Sequence, residues 1–243
     1  MTTPSEEPTT APPRWEDFDD DTLDAIARTR GIVARLHAEL PRWELIVWTA
    51  GNVSQRVSGH DLFVIKPSGV SYDELSAETM VVCDLFGRKI ADPYSGELTP
   101  SSDTAAHAYV YRHMSDVGGI VHTHSTYATA WAARGEEIPC ALTMMADEFG
   151  GSIPVGPFAI IGDDSIGRGI VETLSESRSP AVLMRNHGPF TIGKDARAAV
   201  KAAVMVEEVA RTVHIARQLG DVPLVPDDAI DRLYDRYQNV YGQ

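Results

Sequence analysis

Three histidines have the residue type and spacing that most directly predict chemistry in this chain. His122 and His124 lie two residues apart at the end of the apolar run GGIVHTH, and His187 lies in the sequence RNHGPF. On a strand, residues i and i+2 point to the same side, so two imidazoles can approach one ion. Three nitrogen ligands leave an open coordination position, which is typical of catalytic metal sites. The pattern therefore predicts metal-assisted chemistry.

A structural interpretation of these histidines is the alternative, because an isolated HxH occurs by chance and histidines near strand ends often bond only to backbone. His187 favours the metal site, since NHG predicts a turn just after the buried strand AVLM, where a side chain can project over a sheet edge. We expect packing or solvent exposure for four other histidines: His37, His60, His113 and His214.

Three polar segments, GNVSQR, IKPSGVS and TPSSDT, predict a cradle for an anion. Their small residues let the backbone approach a ligand closely, and Ser102 or Asp103 can cap a helix whose free N–H groups favour an anion. Each segment alone is also a common turn or cap composition, and Lys66 alone would suit solvent. Together, the three segments predict a phosphate site.

The elements that must position these residues alternate between short apolar runs and helical patterns. A first helix is predicted from a cap at Thr22 to Pro41. Several apolar runs lack clean alternation, which indicates strands buried on both faces, and some connections are too short for a crossover helix. The prediction is one α/β domain with a mixed sheet. The predicted strands are ELIVWT, DLFVIK, MVVCDL, GGIVHTH, PFAII and AVLMRN, and the later helices are DTAAHAYVYRHM, STYATAWAARG, DDSIGRGIVETLSES, KDARAAVKAAVMVEEVARTVHIARQL and DDAIDRLYDRYQ.

Charge and hydropathy narrow the class of partner. The net charge of −14 repels phosphate backbones and anionic lipid, so nucleic-acid and membrane binding are not expected, whereas a small phosphorylated substrate can still bind locally. No apolar segment is long enough to span a bilayer and the N-terminus resembles no signal peptide, which predicts a cytoplasmic protein. Cys83 and Cys140 match no metal-binding spacing and are expected to be reduced structural thiols.

The first 21 residues carry seven acidic residues against Arg14 alone, together with several prolines and threonines. Such a stretch buries too little apolar surface to offset its ordering entropy. We therefore predict a disordered tail over residues 1–21 and a catalytic domain over residues 22–243.

Seven ordered segments carry a family resemblance: GNVS, IKPSG, PSSD, GGIVHTHS, a later MAD, NHGPF and the terminal YGQ. Over about residues 22–243 the chain resembles the class II sugar-phosphate aldolase and epimerase family, also called the adducin head fold. Within it, the pattern is most similar to the L-ribulose-5-phosphate 4-epimerases. The resemblance implies a three-layer αβα sandwich around a mixed sheet, assembled as a homotetramer with active sites between adjacent subunits.

The same resemblance assigns roles to individual residues. Asp103 matches the acidic position beside the metal, and Asp147 and Tyr241 resemble an acid/base pair delivered by the neighbouring subunit. The implied cofactor is Zn²⁺, with Mn²⁺ or Co²⁺ as alternatives. The implied zinc ligands are His122, His124 and His187, and the implied phosphate-binding residues are Asn52, Lys66, Ser68, Gly69, Ser101 and Ser102.

The implied reaction inverts C4 of a 2-ketopentose phosphate. C4 is not adjacent to the carbonyl, so simple proton abstraction is excluded. Breaking the C3–C4 bond in a retro-aldol step, rotating the aldehyde fragment and re-forming the bond inverts this carbon. The C4 oxygen points to opposite sides in the two epimers, so each side needs an acid/base group.

Two other functions remain open from the sequence. An aldolase of the fuculose-phosphate type would release its fragments, but those enzymes resemble one another in having glutamate after PSS, where this chain has the shorter Asp103. A non-catalytic assembly module, like the adducin head domains, would not need the three histidines, Asp147 and Tyr241. Met144 and Met145 depart from the epimerase pattern, as does the C-terminal helix before YGQ.

Overall fold

A computed structural model describes the backbone of residues 11–241 and the side chains of residues 11–240. Within this part of the chain, seven strands form one sheet in the order β3-β2-β1-β4-β7-β6-β5. Neighbouring strands pair antiparallel, except for the parallel pair β5 and β6, so the sheet is mixed as predicted. The strands are β1 Asn52–Arg56, β2 Leu62–Ile65, β3 Val81–Asp84, β4 Gly119–His122, β5 Val155–Gly156, β6 Ala181–Met184 and β7 Gly188–Gly193.

Eight α-helices flank this sheet in residues 11–241, with a short π-helical turn, Tyr237–Tyr241, at the C-terminal end. In this described part, no helix has both the length and the apolar character needed to cross a membrane. The helices are α1 Asp20–His37, α2 Glu39–Arg42, α3 Thr104–His113, α4 Thr126–Arg134, α5 Thr143–Phe149, α6 Ser165–Ser175, α7 Ala196–Leu219 and α8 Asp227–Arg236.

Helices cover both faces of the sheet, and the residues of β2 show how the sequence achieves this. Phe63 and Ile65 belong to a core that includes residues of α3 and α6. Leu62 and Val64 belong to a separate core on the opposite face, which includes residues of α1. Successive strand residues point to opposite faces, so a strand that is apolar at every position requires two covering layers. This arrangement is the three-layer αβα sandwich that the resemblance implied.

Strand register brings three element ends to one edge of the sheet. The first residue of β1, Asn52, pairs with His122 at the end of β4, and His122 in turn pairs with Phe190 near the start of β7. Because these strands are antiparallel neighbours, residues far apart in sequence meet within one or two strand spacings. This edge carries the candidate site.

Two predicted strands are not strands in the structure. ELIVWT forms turns after α2, with Glu44 and Trp48 at positive φ and with Val47 and Trp48 exposed. PFAII is a loop in which Phe158 and Ile160 are exposed. Both runs are apolar, but apolar character alone does not distinguish a buried strand from an exposed apolar loop.

Four of these strands and helices were not predicted as regular structure, namely β1, β5, β7 and α5. GNVSQR and GPFTIG contain the Gly and Pro residues that usually mark turns, yet each pairs with β4, the central strand. The helix α5 has seven residues, too short for a clear apolar period. Burial of Cys83 and Cys140 as free thiols agrees with their predicted structural role.

The N-terminal boundary differs from the prediction, because α1 begins at Asp20 and its cap is Asp19 rather than Thr22. The Asp19 carboxylate accepts a hydrogen bond from the Thr22 N–H at 2.9 Å. Before it, Trp15 packs edge-on against Tyr94, with ring centroids 6.0 Å apart, and the Arg30 guanidinium lies 5.8 Å from the Trp15 ring. Residues from Trp15 onward are therefore packed against the domain, whereas residues 1–10 of the predicted tail lie outside the described residues.

Candidate metal centre and anion cavity

The three histidines predicted to bind a metal converge in the structure. His122 ends β4, His124 follows two residues later, and His187 lies in the turn between β6 and β7, where Asn186 adopts positive φ. Their potential ligand atoms all lie within 4.8 Å of one another, and the Nε2 atoms of His122 and His124 are 3.0 Å apart. Two nitrogens bound to one tetrahedral zinc ion lie ~3.3 Å apart. The donor set therefore fits a divalent metal ion.

The ring of His122 is fixed by its surroundings. Its Nδ1–H donates to the backbone oxygen of Pro189 at 3.0 Å, and the ring stacks on Phe190 with centroids 4.1 Å apart. A hydrogen bond from Nδ1 leaves the lone pair of Nε2 available, which is the usual device that selects the metal-binding nitrogen of a histidine.

Burial keeps all three imidazoles neutral. It lowers the pKa of His122 well below the ordinary value, and proximity to His187 and His124 lowers that pKa further. Burial also lowers the pKa of His124 and of His187, although the negative charge of Asp103 opposes both shifts. Since a neutral imidazole is the metal-binding form, the cluster is ready to bind a metal at neutral pH.

A polar cavity of about 190 Å³ opens beside the triad. It is lined by the implied phosphate-binding residues, by Asp103 and by two of the histidines, while His122 lies buried behind them. The lining residues of the sequence-predicted site are Asn52, Lys66, Ser68, Gly69, Ser101, Ser102, Asp103, His124 and His187.

Asn52 connects the anion segments to the acidic position. Its side-chain N–H₂ donates to Asp103 Oδ2 at 2.8 Å and to Ser101 Oγ at 3.0 Å. The remaining oxygens, Asn52 Oδ1 and Asp103 Oδ1, are buried and accept no hydrogen bond from the described residues. Buried polar atoms are normally satisfied, so these two oxygens indicate that a ligand or water completes the site. Asp103 occupies the cap position of α3 without capping it through its side chain.

Lys66 is buried rather than solvated, with 2% of its surface exposed. Its Nζ donates to the backbone oxygens of Thr49 and Pro67, each at 3.2 Å. Burial lowers the pKa of Lys66 to about 8, so the amine is still mainly protonated at pH 7. No carboxylate among the described residues pairs with this cation, which favours an anionic ligand in the cavity.

Gly51 is required at the wall of the cavity. Its φ is +80°, and a Cβ there would lie 2.8 Å from Ile46 Cγ2 and 3.0 Å from the backbone oxygen of His122. Only glycine adopts this conformation readily and allows the backbone to approach the metal-bearing strand so closely.

The predicted acid/base residues lie away from this cavity. Asp147 is half-buried on α5, which packs against α8 and α7, and it does not line the cavity. Tyr241 ends the π-helical turn, but its side chain lies outside the described residues. Next to Asp147 in the sequence, Glu148 Oε2 lies 3.0 Å from Lys201 Nζ, which also donates to Tyr237 Oη at 3.2 Å.

Sequence reasoning missed His107, which lies fully buried beneath the site. Its Nδ1 is 2.6 Å from Ser54 Oγ, and Ser54 Oγ is 2.8 Å from Tyr111 Oη. Burial lowers the pKa of His107 to about 3. Spacing offered a signal: Asp103, His107 and Tyr111 follow one face of a helix at i, i+4 and i+8, and Ser54 follows Asn52 by two on a strand. Ile161, in the exposed loop after β5, also lines the cavity and was not predicted.

Comparison with known proteins identifies the family to which this fold belongs. Residues 32–214 match the family described as the class II aldolase and adducin N-terminal domain. An L-fuculose 1-phosphate aldolase structure superposes with a TM-score of 0.77 at 25% identity, covering 87% of this chain and 96% of that one. YgbL from Klebsiella pneumoniae, for which aldolase, epimerase and decarboxylase are candidate activities, gives 0.73 at 28% identity, covering 86% and 98%. The chain belongs to the class II aldolase and adducin N-terminal domain family.

Proposed function

We propose that this protein is a cytoplasmic, divalent-metal-dependent 4-epimerase that interconverts L-ribulose 5-phosphate and D-xylulose 5-phosphate. The observation that carries the proposal is the cavity beside the three-imidazole cluster, because two of these imidazoles line it together with a buried lysine that has no carboxylate partner among the described residues. A sugar phosphate offers hydroxyl oxygens to a metal and an anionic group to a lysine. The imidazole cluster and the buried lysine could therefore bind two parts of the same substrate.

The phosphate is proposed to lie against Lys66, with the hydroxyls and backbone of Ser68, Gly69, Ser101 and Ser102 around it. Holding the phosphate keeps the two-carbon aldehyde fragment in the cavity while its carbonyl rotates. Bound Zn²⁺, or Mn²⁺ or Co²⁺ in its place, supplies Lewis-acid stabilisation of negative charge that develops on substrate oxygens. Asp103, held by Asn52, lines the same cavity and keeps one carboxylate oxygen without a partner among the described residues.

Proton transfer is assigned to Asp147 and Tyr241 of a neighbouring subunit in a homotetramer. The position of Asp147 supports this assignment, because it does not line the cavity of its own chain. Apolar side chains are exposed close to the cavity wall, at Val47 and Trp48 before Thr49 and at Phe158 and Ile160 before Ile161. Exposed apolar surface of this kind favours association with another chain.

Release of the fragments, as in a sugar-phosphate aldolase, is the second candidate. The similarity to an L-fuculose 1-phosphate aldolase structure supports it. Against it, the Asp103 carboxylate is shorter than glutamate and one of its oxygens is bonded to Asn52, which reduces its reach toward substrate as a base. A non-catalytic assembly role is the third candidate, and it would leave the convergent imidazoles unexplained.

Product analysis separates these candidates. The zinc-loaded protein is incubated with L-ribulose 5-phosphate and, separately, with L-fuculose 1-phosphate, and the products are resolved by chromatography. We expect D-xylulose 5-phosphate from the first substrate, with no free two-carbon or three-carbon fragment. Accumulation of fragments from either substrate would support the aldolase, and no reaction with either one would support the assembly role.

Metal dependence is tested with His124→Ala. Two imidazoles hold an ion far less tightly than three, so this variant should lose both bound zinc and turnover. The matched control is His113→Ala, since His113 is exposed at the end of α3 and bonds only to the Tyr109 backbone among the described residues. Elemental analysis of both variants measures the zinc content. Full activity of metal-free protein would contradict the proposal.

A further inference from the structure

Helix α4 supports two of the three candidate metal ligands. It begins at Thr126, two residues after His124. It also holds the turn that carries His187, because the backbone N–H of Asn186 donates to the Ala132 oxygen at 3.0 Å. The position of α4 therefore fixes the relative placement of His124 and His187.

A carboxylate from another helix holds the N-terminal end of α4. Glu207 on α7 accepts a hydrogen bond from the Tyr127 N–H through Oε1 and from the Ala128 N–H through Oε2, each at 2.9 Å. Ser125 occupies the cap position, but its side chain makes no capping bond. Glu207 thus satisfies two of the N–H groups that a helix leaves free, and its charge is favourable at the positive end of the helix dipole.

A second bond joins the same two helices one turn further along, where the indole N–H of Trp131 donates to the Ala210 oxygen at 3.1 Å. Glu207 itself does not line the metal-site cavity; it lines a separate groove that also includes Thr126 and Tyr127 of α4. Any effect of Glu207 on the metal must therefore act through the helix.

We propose that Glu207 is a positioning residue for the metal centre, because it fixes α4 so that the lone pairs of His124 and His187 converge with that of His122. This inference rests on the proposed metal-dependent function. Three imidazoles bind one ion tightly only when their lone pairs meet at one point. Residues that orient ligands without touching the metal typically change its affinity by about 10- to 100-fold when mutated.

The test compares Glu207→Gln with Glu208→Gln. Both variants remove one negative charge from adjacent positions of α7, but Glu208 is exposed and caps no helix among the described residues. Glutamine at 207 keeps one acceptor oxygen and turns an N–H₂ donor toward the second backbone N–H. Zinc affinity is measured by competition with a chromophoric chelator, and Tm is measured on the metal-free proteins.

We expect Glu207→Gln to weaken zinc binding about 10- to 100-fold, with Glu208→Gln close to wild type. Equal zinc affinity in Glu207→Gln and wild type would overturn the inference even if Tm fell, since the carboxylate would then be only a helix cap. A wild-type protein that binds no zinc would overturn the proposed function and this inference together. If Glu207→Gln does not fold, Trp131→Phe removes the other bond between α4 and α7, and unchanged zinc affinity there overturns the inference.

Discussion

Two single residues, the buried neutral histidines His37 and His107, should make the stability of the folded protein sensitive to acid. The His37 Nδ1–H donates to the Val33 oxygen at 2.7 Å, and its Nε2 accepts from the Val53 N–H at 2.9 Å, so the ring links α1 to β1. Burial lowers the pKa of His37 to about 3. The sequence left packing and solvent exposure open for His37, and its burial shows packing. Its bond to the strand that bears Asn52 could not be seen in a helical pattern.

We predict that the metal-free protein loses stability as pH falls below about 6.5. The unfolded chain binds protons at His37 and His107 in this range while the folded chain does not, so the free energy of unfolding falls with pH. Each histidine contributes about 1.4 kcal/mol per pH unit until pH approaches its folded pKa. Urea unfolding at pH 7.5 and 5.5 measures the loss.

His37→Gln provides the comparison for this prediction, because glutamine can donate and accept hydrogen bonds but does not titrate. The difference in unfolding free energy between pH 7.5 and 5.5 should be smaller in the variant than in wild type by about 1 kcal/mol. An unchanged difference would show that the protons are taken up elsewhere.

At the scale of elements, the β1 strand depends on the turn that precedes it. Gly51 and Gly59 both have φ near +80°, but a Cβ at Gly59 would meet no atom within 4 Å, whereas one at Gly51 would crowd Ile46 and the His122 backbone. Substitutions at the two glycines therefore distinguish the cost of backbone strain, which both share, from the cost of crowding, which only Gly51 has.

We predict that Gly59→Ala costs about 1 kcal/mol through strain alone, and that Gly51→Ala costs about 1–3 kcal/mol more through crowding. Gly51→Ala should also weaken zinc binding, because His122 must shift. Unfolding midpoints and chelator competition on both variants give the two quantities. Equal effects in the two variants would contradict the packing argument.

The sequence predicted those elements whose apolar pattern matches their burial. β2, β3, β4 and β6 are short apolar runs buried on both faces, and α3, α4, α6, α7 and α8 begin and end close to their predicted limits. β1 and β7 were missed because their Gly and Pro residues are typical of turns, while pairing with β4 on either side overrides that preference. The sequence pattern of a segment does not show which strand the segment will pair with.

For the candidate site too, residues marked by the local sequence were predicted, whereas residues whose role depends on distant contacts were not. The HxH spacing and a neighbouring turn were enough to predict the three histidines. His107 was missed because its role depends on contact with Ser54, which lies 53 residues earlier. The assignment of Asp147 and Tyr241 depended on resemblance alone, since neither residue type nor spacing marks them.

At the scale of the whole molecule, the N-terminal segment contributes a contact that its composition did not predict. The buried Arg30 guanidinium forms an ion pair with Asp92 at 2.8 Å and lies 5.8 Å from the Trp15 ring and 5.2 Å from the Tyr94 ring. Aromatic rings that shield a buried ion pair from water add apolar burial as well as cation–π attraction.

We predict that removing residues 1–13 leaves stability unchanged, while removing residues 1–18 lowers it by about 2 kcal/mol, the value of half-burying two aromatic side chains. The larger truncation loses Trp15 and Phe18 and exposes Arg30 to water. Urea unfolding of both truncated proteins tests this. Identical midpoints would show that the segment is dispensable up to α1, as its composition suggests.

Assembly provides the test of the acid/base pair. Asp147→Asn or Tyr241→Phe should slow epimerisation by roughly 10²- to 10⁴-fold, the usual contribution of a general acid or base, without changing metal content. If both residues serve a neighbouring subunit, mixing Tyr241→Phe with His122→Asn should restore part of the activity, because some interfaces then contain one intact site. Mass spectrometry must first show mixed oligomers. Near-wild-type rates in both single variants would remove the assignment.

The fluorescence of the exposed Trp48 indole can report whether another chain covers this part of the surface. Trp48 is 86% exposed and precedes Thr49, which lines the cavity, whereas Trp131 is buried beneath α7. An aqueous quencher such as acrylamide or iodide reaches the first indole and not the second. Trp43 is also exposed, at 51%, so the measurement uses a Trp43→Phe variant. A fall in quenching at increasing protein concentration, without any label, then reveals whether another chain covers the wall of the cavity.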